Sequence, residues 1–358
     1  MATNITTELQ GYYFSSQLPD ILWQTDSEAL TVSLYCPDEG VTIIEVTLTP
    51  TDSVVRLWEV REAVERQMRH LSLSHISMVI RWREKGHQYF SESSAIQVYY
   101  SSLNIEEDCI DWLTANFLTT SNSKPMPASG ATESLFFVNH ESSSIVPDLL
   151  ASCRLASGEV CVIALDGYFE EYPVDETAVQ QISWNAADVL AAAVEAEETV
   201  VEVIGVAVRA GVRLMTYYKP LIPADQAFVF ANAFGVIETA WLNCVTTTKT
   251  KDGRKVAHVA RRARIYDLDQ EVTHEVETCP LPLEVARWLA QLVTSPRAWL
   301  GNGRAIIITD GDASISDDAA VMNSVKFTWQ YDDGRAVMDA AGADINIFQK
   351  PPFSHQFD

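Results

Sequence analysis

Apolar and polar residues alternate over short runs along most of the chain. In the first third, runs of this kind occupy residues 30–35, 41–48, 77–82 and 95–100, and turn-forming residues fill the 36–40 loop. Alternation with a period of two is typical of half-buried β-strands. The chain is therefore predicted to be mainly β with a few short helices, in an α+β arrangement of two or three β-sandwich-like domains.

Three segments have helical periodicity instead. Apolar residues recur at three- and four-residue steps from Leu57 to Leu71, which predicts an amphipathic helix that crosses the strands of the first domain. Asn185 can cap an alanine-rich helix that ends near Glu197. Residues 282–294 place apolar side chains on one face and predict another short helix.

Domain boundaries are predicted from composition. Residues 1–120 form a β-rich domain with the crossing helix, and residues 121–134 form a linker, because serine, threonine, proline and glycine dominate there without periodicity. Residues 135–220 form a second β-rich domain. Residues 221–358 form a third, with a basic hairpin and one short helix. The 121–134 segment could instead be a long surface loop within one domain.

The basic hairpin of the third domain is the main candidate for function. Two β-prone arms flank an Asp252-Gly253 step, which predicts a turn at residues 251–254, as a second Asp-Gly step does at 166–167. The chain has 25 Lys and Arg against 49 Asp and Glu, so a basic cluster reverses the local sign of charge. We predict that the hairpin binds an acidic partner. Its basic residues are Lys249, Lys251, Arg254, Lys255, Arg261, Arg262 and Arg264.

Two interpretations of the hairpin stay open. Its charges either dock on a partner or protect an exposed pair of edge strands from aggregation. The C-terminal end is a second candidate for partner binding, because Phe348, Phe353 and Phe357 form a short aromatic tail. Such a tail can fill a pocket on a neighbouring subunit or pack on its own domain.

The overall charge limits the classes of partner. The 358 residues carry a formal net charge of −24, which argues against non-specific binding to nucleic acid or to anionic membranes. The N-terminus has no secretory signal, and no apolar run reaches membrane length, so the chain is predicted to fold in the cytoplasm. The six cysteines form no C-x-x-C pair and are predicted to be reduced.

Candidate chemistry is sparse. Oxygen ligands alternate at Asp310, Asp312, Ser314 and Asp318, as in the first part of a calcium loop, although Ile315 replaces the expected glycine. Calcium binding is therefore a weak prediction for this segment, and the alternative interpretation is an acidic surface turn that binds no metal. No histidine spacing, nucleophile motif or phosphate loop points to catalysis. We expect no catalytic residues, no other cofactor or metal and no small-molecule ligand, and predict that the chain is not an enzyme.

Several stretches resemble structural proteins encoded by phages and prophages of gut Bacteroidales. They are residues 35–43 with the helix that follows, residues 228–238 and the Phe-rich end. The resemblance implies a tail, baseplate or connector subunit that assembles into a ring or tube and has no catalytic residues. It also implies synthesis in the bacterial cytoplasm and assembly into a virion or tail-like particle.

The first hypothesis is therefore a non-enzymatic structural subunit. Its partners would be copies of itself and other tail or assembly proteins. We expect it to bind neither a membrane nor a specific nucleic-acid sequence. The alternative is a β-sandwich carbohydrate-binding or adhesin module, which stacks exposed Trp and Tyr rings on sugars. A hydrolase with a pair of carboxylates is a third possibility, and it requires a deep acidic cleft.

Overall fold

The computed structural model describes residues 3–7, 9–140, 143–259, 262–313, 315–318 and 323–332, with the backbone alone at 176 and 252–271. Strands dominate this part of the chain, together with four α-helices and one short 3-10 helix, Ser15–Gln17. The predicted fold class, mainly β with a few short helices in an α+β arrangement, is confirmed. Among the helices described, none is long and apolar enough to cross a membrane.

The first third of the chain forms two sheets. Its elements are β1 (Asn4–Ile5), β2 (Tyr12–Phe14), β3 (Ile21–Gln24), β4 (Leu30–Cys36), β5 (Val41–Leu48), β6 (Val54–Leu57), α1 (Val60–Leu71), β7 (His75–Glu84), β8 (Ser91–Glu92), β9 (Ile96–Tyr99) and α2 (Cys109–Ala115). The larger sheet has the order β2-β9-β7-β4-β5, with β8 beside β7, and the smaller has the order β1-β3-β6. Helix α1 buries Val60, Val64 and Met68 in the core that these sheets share, which confirms the predicted crossing helix.

The middle of the chain forms a five-stranded sheet and a separate strand pair. Its elements are β10 (Ser123–Pro125), β11 (Thr132–Asn139), β12 (Asp148–Leu155), β13 (Val160–Ala164), β14 (Asp175–Asn185), α3 (Ala186–Ala196), β15 (Val200–Ala210) and β16 (Arg213–Tyr218). The sheet order is β10-β16-β15-β12-β13, and β11 pairs with β14. Asn185 caps α3 as predicted, because its side chain accepts a hydrogen bond from Ala187 N at 2.8 Å.

The last part of the chain forms one seven-stranded sheet with a helix packed on it. Its elements are β17 (Gln226–Ala231), β18 (Ile237–Leu242), β19 (Cys244–Val259), β20 (Arg262–Thr278), α4 (Leu283–Thr294), β21 (Ala298–Leu300), β22 (Ala305–Asp312) and β23 (Lys326–Tyr331). The order is β18-β17-β21-β22-β23-β20-β19. Only Asn243 separates β18 from β19, although they end the order on opposite sides, so the sheet is rolled. Helix α4 confirms the predicted helix and buries Trp288, Leu289 and Leu292 in this core.

The 121–134 segment is packed rather than spread through solvent. Seven of its fourteen residues are buried, and β10 within it pairs in parallel with β16. Its serine-, proline- and glycine-rich composition is typical of a linker, but the ladder to β16 satisfies backbone groups that a linker leaves to water. Apart from β10 and the first residues of β11, which lie in the predicted linker, each sheet lies within a single predicted domain. The division into domains itself stays a prediction.

One core cluster joins the three parts of the chain. It contains Phe14 and Leu113 of the first predicted domain, Val138 of the second and Phe234 of the third. Arg213 of β16 reinforces this junction, because its fully buried guanidinium donates hydrogen bonds to Leu113 O at 2.7 and 3.1 Å and to Val138 O at 2.8 Å. A buried charge needs such partners, so Arg213 fixes the spacing between the joined parts.

The basic hairpin exists, but its predicted turn is in the wrong place. Strand β19 continues through Asp252 and Gly253, which lie opposite Gln270 and Asp269 of β20. The pairing extends to Val259, so the chain reverses after that residue. Long β-prone arms outweigh a local turn preference here, because each added pair extends the ladder of backbone hydrogen bonds.

Candidate functional site

Strands β19 and β20 extend far beyond the sheet as a two-stranded ribbon. Strand β20 contacts β23 only through His274–Glu277, and β19 ends the sheet order. From Lys249 opposite Thr273 to Val259 opposite Arg262, the described strands pair only with each other. At about 3.4 Å per residue this ribbon is about 35 Å long. The described side chains from Thr247 to Lys251 are all exposed, so the ribbon emerges from the domain there.

Charges on the ribbon differ between its base and its tip. At the base, Lys249 forms an ion pair with Glu275, and Lys326 Nζ lies 2.9 Å from a Glu277 carboxylate oxygen. Between Gly253 and Tyr266, by contrast, the sequence has five Lys and Arg and no Asp or Glu. The sign reversal predicted for the whole hairpin is therefore concentrated in the outer half of the ribbon.

The predicted partner-binding residues fall into three groups. Lys249 and Lys251 have exposed side chains on β19. The backbone positions of Arg254 and Lys255 are on β19, and those of Arg262 and Arg264 are on β20. Arg261, Phe348, Phe353 and Phe357 lie outside the described residues. The register thus brings six of the seven basic positions onto one ribbon, while their role in binding stays a prediction.

An aromatic pocket lies at the base of the ribbon. Its volume is about 270 Å³, and the rolled sheet brings four rings to it from β18, β20 and β23: Trp241, His274, Trp329 and Tyr331. The His274 ring stacks on Trp329 with 4.0 Å between ring centroids and 17° between planes. Tyr331 meets Trp329 edge to face at 5.0 Å. These contacts give the pocket one rigid aromatic wall.

Two polar atoms of this aromatic wall have no hydrogen-bond partner among the described residues. His274 Nδ1 lies 3.0 Å from Thr248 Oγ1, whereas His274 Nε2 and Trp329 Nε1 are buried and have no hydrogen-bond partner among the described residues. Burial lowers the pKa of His274, and Arg304 contributes to the same shift. The ring is therefore neutral near pH 7, with one nitrogen as donor and the other as acceptor.

A buried charge cluster lies behind the pocket. Trp241 Nε1 donates to a Glu133 carboxylate oxygen at 3.1 Å, and Tyr217 OH donates to the other at 3.4 Å. Lys124 Nζ forms an ion pair with Glu238 at 2.6 Å. We call Lys124, Glu133 and Glu238 the buried triad.

The triad has one carboxylate more than it has cations, and it is closed to solvent. Burial raises the pKa of Glu133 to about 7, and the negative charge of Glu238 adds to the increase, while Lys124 and the Trp241 hydrogen bond oppose it. Trp288 Nε1 donates to the second oxygen of Glu238 at 2.8 Å. Lys124, Glu133 and Glu238 are each at most 3% exposed, and none of them lines the aromatic pocket. The arrangement therefore ties β10, β11, β18 and α4 together instead of presenting an acid to a substrate.

The triad was not predicted from the sequence. Glu133 lies on the same buried face of β11 as Leu135 and Phe137, two and four residues further on. Glu238 likewise shares the buried face of β18 with Ala240 and Leu242. A charged residue in phase with apolar neighbours is the signal that could have identified both.

The candidate calcium ligands are only partly described. Asp310 and Asp312 lie on β22, opposite Thr328 and Lys326 of β23, and Ser314 is outside the described residues. Within the described residues, no three His, Cys, Asp or Glu side chains group as a metal site. Calcium stays a weak prediction.

Comparisons with known proteins add little. No family model matches the chain, and no curated protein matches it. It is similar to a solved structure described as the full extracellular region of plexin A4, domains 1 to 8, with 9% sequence identity and a TM-score of 0.22. The match covers 94% of this chain and spans only 37% of the length of that one, and at this TM-score it supports no conclusion about fold or function.

Proposed function

We propose that the chain is a non-enzymatic assembly subunit of a phage or phage-like tail, which forms a homo-oligomeric ring or tube through its ribbon. The observation that carries this proposal is the length of β19 and β20 beyond their last contact with a third strand.

A long ribbon without a third strand has a physical cost that a partner can remove. Isolated two-stranded hairpins are marginally stable in water, since neither face is covered by a core. Both outer edges also present unpaired backbone groups, which readily accept another strand. A neighbouring subunit that covers the ribbon supplies the missing packing. A ribbon of about 35 Å is long enough to reach across much of such a subunit.

Charge favours the same partner. Residues 253–266 contain five Lys and Arg and no Asp or Glu, although Asp267 lies opposite Lys255, whereas the chain as a whole carries a formal net charge of −24. Opposite potentials of this kind steer association, fix orientation and add an attraction that salt screens. Because the basic tip and an acidic body surface are different surfaces, their contact is heterologous, and repetition of such a contact produces a closed ring or an open tube.

The setting of a phage tail rests on the resemblance of residues 35–43 and 228–238 to structural proteins of Bacteroidales phages. In this setting the subunit is made in the bacterial cytoplasm, and other tail proteins are further partners. The proposal requires no catalytic residue and no cofactor.

A short-ribbon variant tests the proposal. Replacing residues 251–271 by Asn-Gly leaves Thr250 opposite Val272 and provides a two-residue turn that suits a hairpin. Sedimentation velocity at low salt should show a discrete oligomer for the wild type and a monomer for the variant. Thermal unfolding of both proteins serves as the control that the body remains folded.

Two results would contradict the proposal. One is an oligomer of unchanged mass in a folded short-ribbon variant. The other is a wild-type protein that stays monomeric at a concentration on the order of 100 µM, where even weak specific contacts are populated.

A further inference from the structure

The aromatic pocket at the base of the ribbon has the features of a ligand site. It combines four rings with four polar side chains, which are Asp225, Gln226, Thr246 and Asn302. Ligand pockets typically have this composition, with mostly apolar walls and a few placed polar groups. We propose that this pocket binds a single neutral, hydroxyl-rich sugar ring. The proposal is independent of the assembly function.

The shape of the pocket favours one ring. Its volume of about 270 Å³ lies just below the range of about 300–1,000 Å³ that holds drug-sized ligands. Tyr331 and His274 are half-buried and retain exposed ring surface, while Trp329 behind them is 4% exposed. A pyranose has an apolar C–H face that packs on such rings and a hydroxyl edge that needs polar partners.

The unsatisfied nitrogens select for a hydroxyl group. Trp329 Nε1 can only donate, and His274 Nε2 accepts when Nδ1 donates to Thr248. Neither atom has a partner among the described residues, and a buried polar group without a partner is destabilising. The two side chains stack, so their unsatisfied groups belong to one part of the wall. Hydroxyl groups of a sugar can accept from the indole N–H and donate to the imidazole, whereas the phenyl ring of a Phe side chain satisfies neither.

The charge of the pocket lining favours a neutral ligand over an anionic one. Asp225 is the only formally charged residue among those that line the pocket in the described part of the chain, and one of its carboxylate oxygens accepts a hydrogen bond from Cys244 N at 3.2 Å. Arg304 is not among the lining residues, and its guanidinium lies over the Tyr331 ring at 3.3 Å from the centroid. A carboxylated or phosphorylated sugar therefore meets the Asp225 carboxylate inside the pocket, while the nearby Arg304 guanidinium lies outside the lining.

The test uses the full chain and a panel of neutral methyl hexopyranosides, including those of glucose, galactose, mannose and N-acetylglucosamine. Each is added at about 10 mM, which suits a millimolar site. Indole N–H resonances are recorded in ¹H–¹⁵N spectra, and Trp329→Phe assigns the Trp329 signal. At least one glycoside should shift that signal in a saturable way.

Two variants separate the proposed contact from general packing. Trp329→Phe removes the indole N–H and keeps an aromatic ring, and His274→Phe removes the acceptor and keeps the stack. Each should weaken glycoside binding by about tenfold or more, as expected for the loss of one buried hydrogen bond. Trp58→Phe, at a Trp that is 60% exposed in the first third of the chain, should leave binding unchanged.

Three outcomes would overturn the inference. The first is the absence of any saturable shift with the whole panel. The second is a glycoside affinity that is unchanged in folded His274→Phe. The third is tighter binding of N-acetylphenylalanine amide than of every glycoside, which would identify the pocket as a receptor for an aromatic side chain.

Discussion

The buried triad makes stability depend on pH, and Glu133→Gln isolates its effect. The pKa of Glu133 is about 7 in the folded protein against an ordinary value of 4.5, mainly because the carboxyl is buried. The folded state therefore holds this proton more tightly than the unfolded chain does. As a result, the Glu133 contribution to the free energy of unfolding falls as pH rises from about 4.5 to about 7, and it is constant above that range.

The size of the effect follows from the shift. A difference of one pKa unit corresponds to about 1.4 kcal/mol, so the shift of Glu133 corresponds to about 3 kcal/mol between its two limits. Glutamine keeps an acceptor for Trp241 and removes the excess charge beside Glu238. We therefore expect Glu133→Gln to change stability by less than about 1 kcal/mol at pH 5, and to stabilise the protein by about 2–3 kcal/mol at pH 8.

Urea unfolding followed by tryptophan fluorescence at pH 5, 6, 7 and 8 measures this difference. Groups that titrate elsewhere contribute equally to both proteins and cancel in the comparison. Glu45→Gln is the matched control, because it removes the same formal charge from an exposed position on β5. A stability difference between wild type and Glu133→Gln that is the same at pH 5 and pH 8 would refute the reasoning, and so would a variant that is less stable at pH 8.

The remaining predictions concern assembly, the domain junction and one helix. Changing Arg261, Arg262 and Arg264 together to Gln should weaken self-association and reduce its dependence on salt, as measured by light scattering, because surface charge attraction is screened. Arg213→Met should destabilise the chain by about 3 kcal/mol or more in urea unfolding, since buried carbonyl oxygens lose their donors. Asn185→Ala should cost about 1 kcal/mol, because α3 loses its cap.

Much of the fold was predictable from periodicity. Helices α1, α3 and α4 and the main strands of the first third lie within a few residues of their predicted positions. These elements have one apolar face against a core, so period alone identifies them. Their arrangement into sheets was not predictable. The order β18-β17-β21-β22-β23-β20-β19 depends on pairings between residues far apart in the chain.

Asp-Gly steps were misleading as turn signals for hairpins. Gly167 does adopt a positive φ of 73°, but the strand before it, β13, pairs with β12 and not with the residues that follow. At Asp252-Gly253 the strand does not turn at all. A dipeptide reports a local backbone preference, whereas strand pairing sums many backbone hydrogen bonds and can override it.

The candidate sites also differ in whether the sequence could reveal them. The basic hairpin was visible because its charges are close in sequence. The aromatic pocket was not, because Trp241, His274 and Trp329 meet only when the sheet rolls. The triad was hidden for a further reason: Lys124 and Glu133 lie in a segment whose composition is that of a linker.

The mass of the purified wild-type chain, measured by light scattering at low and at high salt, tests the central claim most directly. Ribbon-mediated assembly predicts a discrete oligomer at about 0.05 M salt that dissociates toward monomer at about 1 M, where the Debye length falls to about 3 Å. A monomer at both salt concentrations, or an oligomer whose mass does not respond to salt, would contradict assembly through the charged ribbon.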